Sequence, residues 1–168
     1  ALLALTNAVT APKIDALAVE TQEASKKQVL SSADSFSEEK QVEKDGVSYT
    51  YYDGLASDGS VMGYVFVTSA KGYGGDISVM VGVLGDGTVA GVNILSINET
   101  AGLGMNAKNQ SFLDQFLGKS GEIGVAKNNP SDTEIQALTG ATITSSAMAT
   151  AVNTALSLYA EIGGGQNG

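Results

Sequence analysis

Between residues 48 and 96 the chain carries successive segments rich in Val, Ile, Tyr and Thr, joined by links too short to hold a crossover helix. They are SYTYY at 48–52, VMGYVFVT at 61–68, DISVMVGVL at 76–84 and TVAGVNILS at 88–96. Parallel neighbours need a connection of about a dozen residues or more, so these strands must run antiparallel. Gly85, Asp86 and Gly87 separate the last two segments, and this composition is a hairpin signal. In the third, Ile77, Val79, Val81 and Val83 alternate with Ser78, Met80, Gly82 and Leu84, the pattern of a strand with one face in the core.

Helical patterns flank this block. Ile14, Leu17, Ala18, Thr21, Ala24 and Leu30 recur at roughly helical spacing. SSADSFSEEK then reads as a polar loop. Beyond the strands come a glycine-containing loop at 98–108, a short helix around 112–117 and a polar loop holding Pro130. A final helix is predicted from about 146 to 161, with Met148, Ala151, Val152, Ala155, Leu156 and Tyr159 on one stripe. The fold class is therefore α+β, an antiparallel sheet with flanking helices.

Residues 1–11, ALLALTNAVTA, are uncharged and about half the length of a bilayer span. They read as part of an N-terminal transmembrane helix, with a short buried helix or a signal-peptide remnant as the other readings. The resulting division is a partial anchor at 1–11, a helical and loop lead-in at 12–44, the main domain at 45–162 and a flexible tail at 163–168.

Composition limits the chemistry. The 168 residues include no Cys, His or Trp, which excludes disulfides, thiolate-held iron–sulfur clusters, His or Cys zinc sites and imidazole general bases. No catalytic residue or metal site is assigned. Asp and Glu number 18 against 9 Lys and Arg, for a formal charge of −9, and the basic residues are scattered, so nucleic acid is not an expected partner.

Three segments have the chemistry of a ligand site. TGATITSS, Thr139 to Ser146, combines small residues and hydroxyls ahead of the last helix, where free N–H donors and the positive end of the helix dipole suit a phosphate. Ordinary N-capping by Thr144 or Ser145 explains the same residues. NETAGLG, Asn98 to Gly104, places Glu99 and Thr100 at a strand end beside glycines that permit close backbone approach, or it is a plain turn. KGYGG, Lys71 to Gly75, offers Tyr73 to a planar ring and Lys71 to an anion, or it is a hairpin loop.

Taken in this order, KGYGGDISVMVGV, NETAGLG and TGATITSS resemble the FMN-binding domain shared by the G subunit of Rnf electron-transport complexes and the C subunit of sodium-pumping NADH:quinone oxidoreductases. The resemblance runs from about residue 8 to 159. It implies covalent FMN, a phosphoester to Thr144 installed by a flavin transferase using FAD, with Thr139, Gly140, Ala141 and Thr142 matching the preceding motif positions and Ser145 following. It also implies that Glu99, Thr100, Gly102, Leu103 and Gly104 line the flavin, with the ring beside Tyr64 or Tyr73. Ala101 stands where that family has Pro, and Gln136 stands where an acid is common, with Asp132 and Glu134 upstream.

On this resemblance the expected function is electron transfer within a membrane complex that couples ferredoxin and NAD to ion transport. The expected partners are the other membrane subunits and the transferase. The expected location is the cell membrane, with a single N-terminal span and the domain on the extracytoplasmic side. The compact length favours the Rnf subunit over the quinone-reductase subunit or an extracellular reductase. A non-catalytic, surface-anchored binding module, colourless and without flavin, is the alternative from a different class.

Overall fold

The structure is a computed structural model that describes residues 24–97, 99 and 104–162. Strands β1 (Ser35–Phe36) and β2 (Lys40–Lys44) share the outer edge of β3 (Val47–Leu55), which is followed by β4 (Val61–Lys71), β5 (Asp76–Leu84) and β6 (Val89–Ser96). Every pairing in this sheet is antiparallel. The predicted hairpin closes β5 onto β6: Gly87 has φ 87°, and the Asp86 carboxylate accepts both the N–H and the hydroxyl of Thr88. A short parallel pair, β7 (Gly124–Ala126) and β8 (Glu134–Gln136), stands apart from the main sheet.

Three local readings change. The stretch at 31–40 was expected to be loop, yet β1 and the start of β2 lie in it. Strand β2 reads KQVEK with only Val42 and Lys44 half-buried, so it has no hydrophobic run to betray it, and its charges discourage further pairing at the edge. The polar loop around Pro130 likewise contains β7 and β8, each too short for a period to register. The last helix begins earlier than its apolar stripe, as described below.

Residues 24–29 are helical and form α1. Helix α2 (Gln110–Leu113) runs into a 3-10 turn at Asp114–Phe116, and α3 (Thr142–Ile162) closes the described chain. Alternation along β5 explains the core. Ile77, Val79, Val81 and Val83 are fully buried against Met148, Ala151, Val152, Ala155 and Leu158 of α3. Each of the larger side chains contributes about 1.5–3 kcal/mol by leaving water. The buried Thr68 hydroxyl on β4 donates to the Ala151 carbonyl at 2.9 Å, which fixes the helix along its axis. Asn153 accepts the Ile123 N–H at 2.7 Å and donates to the Ile123 carbonyl at 2.9 Å, tying the segment before β7 to α3.

The opposite face of the sheet is covered as well, by the end of α1 and the residues that follow it. Val29, Leu30 and Ala33 form a second buried cluster with Tyr52, Val65 and Met80. Glycines allow this close approach: Gly54 pairs with Gly63 and Gly82 with Gly91 across adjacent strands. A Cβ on Gly91 would stand 2.7 Å from the Val29 Cα, and one on Gly63 would stand 2.6 Å from the Val83 carbonyl oxygen. Lys26, 3% exposed, places its ammonium 4.1 Å from the Tyr52 ring centroid and 5.4 Å from that of Phe36. Cation–π attraction of this kind strengthens when the cation is desolvated.

The α+β expectation holds. The expected transmembrane segment at 1–11 and the tail at 163–168 lie outside the described residues, and among those described no helix is long and apolar enough to cross a membrane. Gly91→Ala is expected to destabilise the domain by about 1–3 kcal/mol, because its Cβ meets backbone that cannot rotate away. Urea unfolding checks this, and an unchanged midpoint would contradict the docking of Val29 on the sheet.

Candidate functional site

Segments far apart in sequence meet at the first turn of α3: the β4–β5 hairpin tip, Glu99 beyond β6, and the turn leading into the helix. At the hairpin tip the Gly72 N–H donates to the Gly75 carbonyl at 2.8 Å, which leaves the N–H groups of Tyr73 and Gly74 facing the Glu99 carboxylate. Glu99 Oε1 accepts the Tyr73 N–H at 2.8 Å and the Thr144 hydroxyl at 2.9 Å, while Oε2 accepts the Gly74 N–H. One carboxylate therefore joins the hairpin tip to the helix. Glycine is required beside it: a Cβ on Gly104 would lie 2.6 Å from the Glu99 Cβ and 2.7 Å from the Thr144 Oγ1, and a Cβ on Gly72 would collide with the carboxylate.

Burial of Glu99 opposes its ionisation, but the Gly74 and Tyr73 N–H groups and the Thr144 hydroxyl outweigh that and hold its carboxyl below the ordinary value. The site thus contains a fixed negative charge.

The turn into α3 is set by Gly140, at φ 73°, with the Ala141 N–H donating to the Leu138 carbonyl at 3.0 Å. The first helical bond runs from the Ser145 N–H to the Ala141 carbonyl at 3.0 Å, so the N–H groups of Thr142, Ile143 and Thr144 are the open donors of the first turn. Helix α3 starts at Thr142 rather than near 146. This puts Thr144 and Ser145 inside the helix instead of ahead of it, and neither caps it in the manner expected from sequence.

Burial then separates the hydroxyls. Thr144 is 1% exposed, and Ser145 is fully buried, its Oγ donating to the Ala141 carbonyl and accepting the Leu138 N–H, both at 2.9 Å. Thr142 is exposed, as are Thr139 and Gly140. A cleft of about 560 Å³ opens here, lined by Tyr73, Glu99, Gly104, Gly140, Ala141, Thr142, Ile143 and Thr144. The structure therefore gathers most of the sequence-predicted residues. Thr139 is adjacent in the turn but does not line the cleft, and Ser145 faces the core as a structural residue. Thr100, Gly102 and Leu103 lie outside the described residues.

Tyr64 does not join the site. Its ring packs 5.8 Å from that of Tyr159, near the far end of α3 and roughly 22 Å along the helix from Thr144. Sequence could place Tyr64 on a strand but not at one end of it relative to a helix. Ile143 was missed in the sequence reading. It is 54% exposed on the cleft wall, with Tyr73 74% exposed on the hairpin tip.

These residues fit FMN. Exposed Tyr73 and Ile143 offer apolar surface to a planar ring system, first-turn N–H groups suit a phosphate, and the cleft volume falls within the range of small-molecule sites. A cleft of this kind, at a helix start beside an antiparallel sheet, suits a phosphorylated cofactor. Residues 72–157 match the FMN-binding domain family.

Among relatives, the chain is 38% identical to the G subunit of the Na+-translocating ferredoxin:NAD+ oxidoreductase complex of Acetobacterium woodii, over 94% of this chain and 83% of that one. It is 43% identical to the G subunit of the proton-translocating ferredoxin:NAD+ oxidoreductase complex of Clostridium ljungdahlii, over 61% of this chain and 56% of that one. The chain belongs to the FMN-binding domain family, among the G subunits of ion-translocating oxidoreductase complexes. Its fold is that of the C subunit of Na+-translocating NADH-quinone reductase from Parabacteroides distasonis, whose crystal structure it matches with TM-score 0.63 and 20% identity, covering 84% of this chain and 93% of that one.

The lowered Glu99 pKa carries a pH signature. Its contribution to stability is complete above the ordinary carboxylate value of 4.5 and is lost as pH falls through the lower folded value. Glu99→Gln is therefore expected to be less stable than wild type at neutral pH, with the gap narrowing by about pH 3. Urea midpoints at the two pH values measure it, and a gap independent of pH would overturn the role given to the ionised carboxylate.

Proposed function

We propose that this chain is the flavin-carrying electron-transfer subunit of an ion-translocating ferredoxin:NAD+ oxidoreductase complex, with FMN held covalently through its phosphate by Thr144. The observation that carries the reading is that Thr144, the last threonine of the motif, lines the cleft in the first turn of α3 and donates its hydroxyl to Glu99 at 2.9 Å. Thr142, the first residue of the same turn, stands exposed at the rim of the cleft.

Bound flavin supplies one- and two-electron transfer, which answers the absence of His and Cys from the chain. The protein's part is to bind and orient. First-turn N–H groups of α3 face the phosphate end, and the helix dipole favours the negative charge that a phosphodiester retains. Tyr73 and Ile143 flank the ring, and Thr144 with Glu99 holds the hairpin tip against the helix. A covalent tether makes rebinding intramolecular, so the cofactor is not lost to the surroundings.

The 38% identity to the Acetobacterium woodii protein over 94% of this chain supports assignment to such a complex, working with its other membrane subunits and matured by a flavin transferase drawing on FAD. An N-terminal span, with the domain outside the cytoplasm, belongs to the same proposal. The domain relays electrons between neighbouring centres and does not turn over a small substrate by itself.

When the chain is produced together with its transferase, intact mass after denaturation is expected to show one FMN less one water. Thr144→Ala should abolish that addition, and Thr142→Ala should retain it. Retention in the first variant with loss in the second would move the attachment to Thr142.

A further inference from the structure

Two threonine hydroxyls stand in the first turn of α3, and the fold treats them differently. Thr142 is exposed, and among the described residues no carboxylate accepts its hydroxyl. Thr144 lines the cleft at 1% exposure and donates its hydroxyl to Glu99 Oε1 at 2.9 Å. Glu99 is itself held in place, because its two oxygens also accept the N–H groups of Tyr73 and Gly74 at the hairpin tip. A hydroxyl bonded to a carboxylate that further groups orient is the arrangement of an activated nucleophile. Gly104 leaves room beside the oxygen, since a Cβ there would lie 2.7 Å from Thr144 Oγ1.

We infer that Glu99 is the proton acceptor for flavin attachment: as the Thr144 oxygen bonds to the flavin-side phosphorus of the FAD donor, its proton passes to the Glu99 carboxylate. In the same step the phosphoanhydride bond to the adenylate half breaks, and AMP leaves with that bond's electron pair; nothing is oxidised or reduced. The inference rests on FMN attachment at Thr144 and adds which group of this chain takes the proton. Burial keeps bulk water from the oxygen, and Glu99 is the group to which the hydroxyl already points. Burial also opposes the charge on Glu99, but the Gly74 and Tyr73 N–H groups and that hydroxyl keep it ionised and able to accept. In protein kinases an Asp takes the proton of a substrate hydroxyl in the same way. Access alone would favour Thr142, yet of the two threonines Thr144 is the one with a carboxylate partner.

The test compares wild type, Glu99→Gln, Glu99→Ala and Thr144→Ala, each as the full chain, in labelling reactions with the flavin transferase and FAD. Initial rates by intact mass, over a range of chain concentrations, give kcat and KM for each chain as the transferase's substrate. Tm without flavin establishes that each variant is folded at the assay temperature. In Glu99→Gln the side chain still accepts a hydrogen bond from Thr144 but cannot take the proton. Its kcat should fall about a hundredfold, as on loss of a general base, with KM within about twofold of wild type. Formate, a small carboxylate, should raise kcat several-fold in Glu99→Ala and leave wild type unchanged.

A wild-type kcat in Glu99→Gln would overturn the inference, as would a defect confined to KM, which signals a purely structural role. Formate failing to raise kcat in folded Glu99→Ala would also overturn it and give the proton to the transferase. If Glu99→Ala does not fold, the kcat and KM of Glu99→Gln decide. Failure of the underlying attachment looks different: wild type left unlabelled, or Thr144→Ala labelled like wild type, refutes the Thr144 reading whatever Glu99 does.

Discussion

Helix α3 sits on the sheet in one rotational setting, and the chemistry at its first turn depends on that setting. Met148, Ala151, Val152, Ala155 and Leu158 face Ile77, Val79, Val81 and Val83. A one-residue rotation, about 100°, would carry several of these side chains into water at about 1.5–3 kcal/mol for each large one. It would also break the bond from the buried Thr68 hydroxyl to the Ala151 carbonyl. Packing along the middle of the helix thereby sets which first-turn side chains point inward, and Thr144 and Ser145 are buried while Thr142, Ile143 and Ser146 are exposed.

The sheet is also fastened from behind. Glycines in cross-strand pairs leave room for Val29 and Leu30, so the residues entering from the N-terminal side lie flat against strands that carry α3 on their other face. Side chains at these positions would hold the backbone off the sheet. The Lys26 ammonium lies beside this contact, over the rings of Tyr52 and Phe36.

Much of the fold was legible in the residues themselves. Alternation at 77–84 predicted the face of β5 that packs under α3, and Gly85, Asp86 and Gly87 predicted the hairpin, because pleat period and turn chemistry are local properties. β2 escaped notice because an edge strand needs no apolar run, and β7 and β8 because a strand of three residues has no measurable period. The early start of α3 had a signal that went unread. The buried stripe at Met148, Ala151 and Ala155 extends back, at intervals of three and four, through Thr144 and Ser145 to Ala141, with hydroxyls in place of apolar side chains. Followed that far, the pattern turns Thr144 inward and leaves Thr142 outside.

The candidate site divides along the same line. Residue types and motif order were enough to single out Tyr73, Glu99, Gly104 and the segment from Thr139 to Ser146, and to exclude thiol and imidazole chemistry, since these follow from what each side chain is able to do. That Glu99 bonds to both the hairpin tip and Thr144, that Tyr64 lies at the other end of α3, and that Thr142 is exposed while Thr144 is buried against Glu99 follow from contacts between segments distant in the chain. Neighbouring residues carry no information about such contacts. Exposure is decided by what packs against a side chain, and for Thr142 and Thr144 that is a sheet and a loop folded from residues many positions earlier.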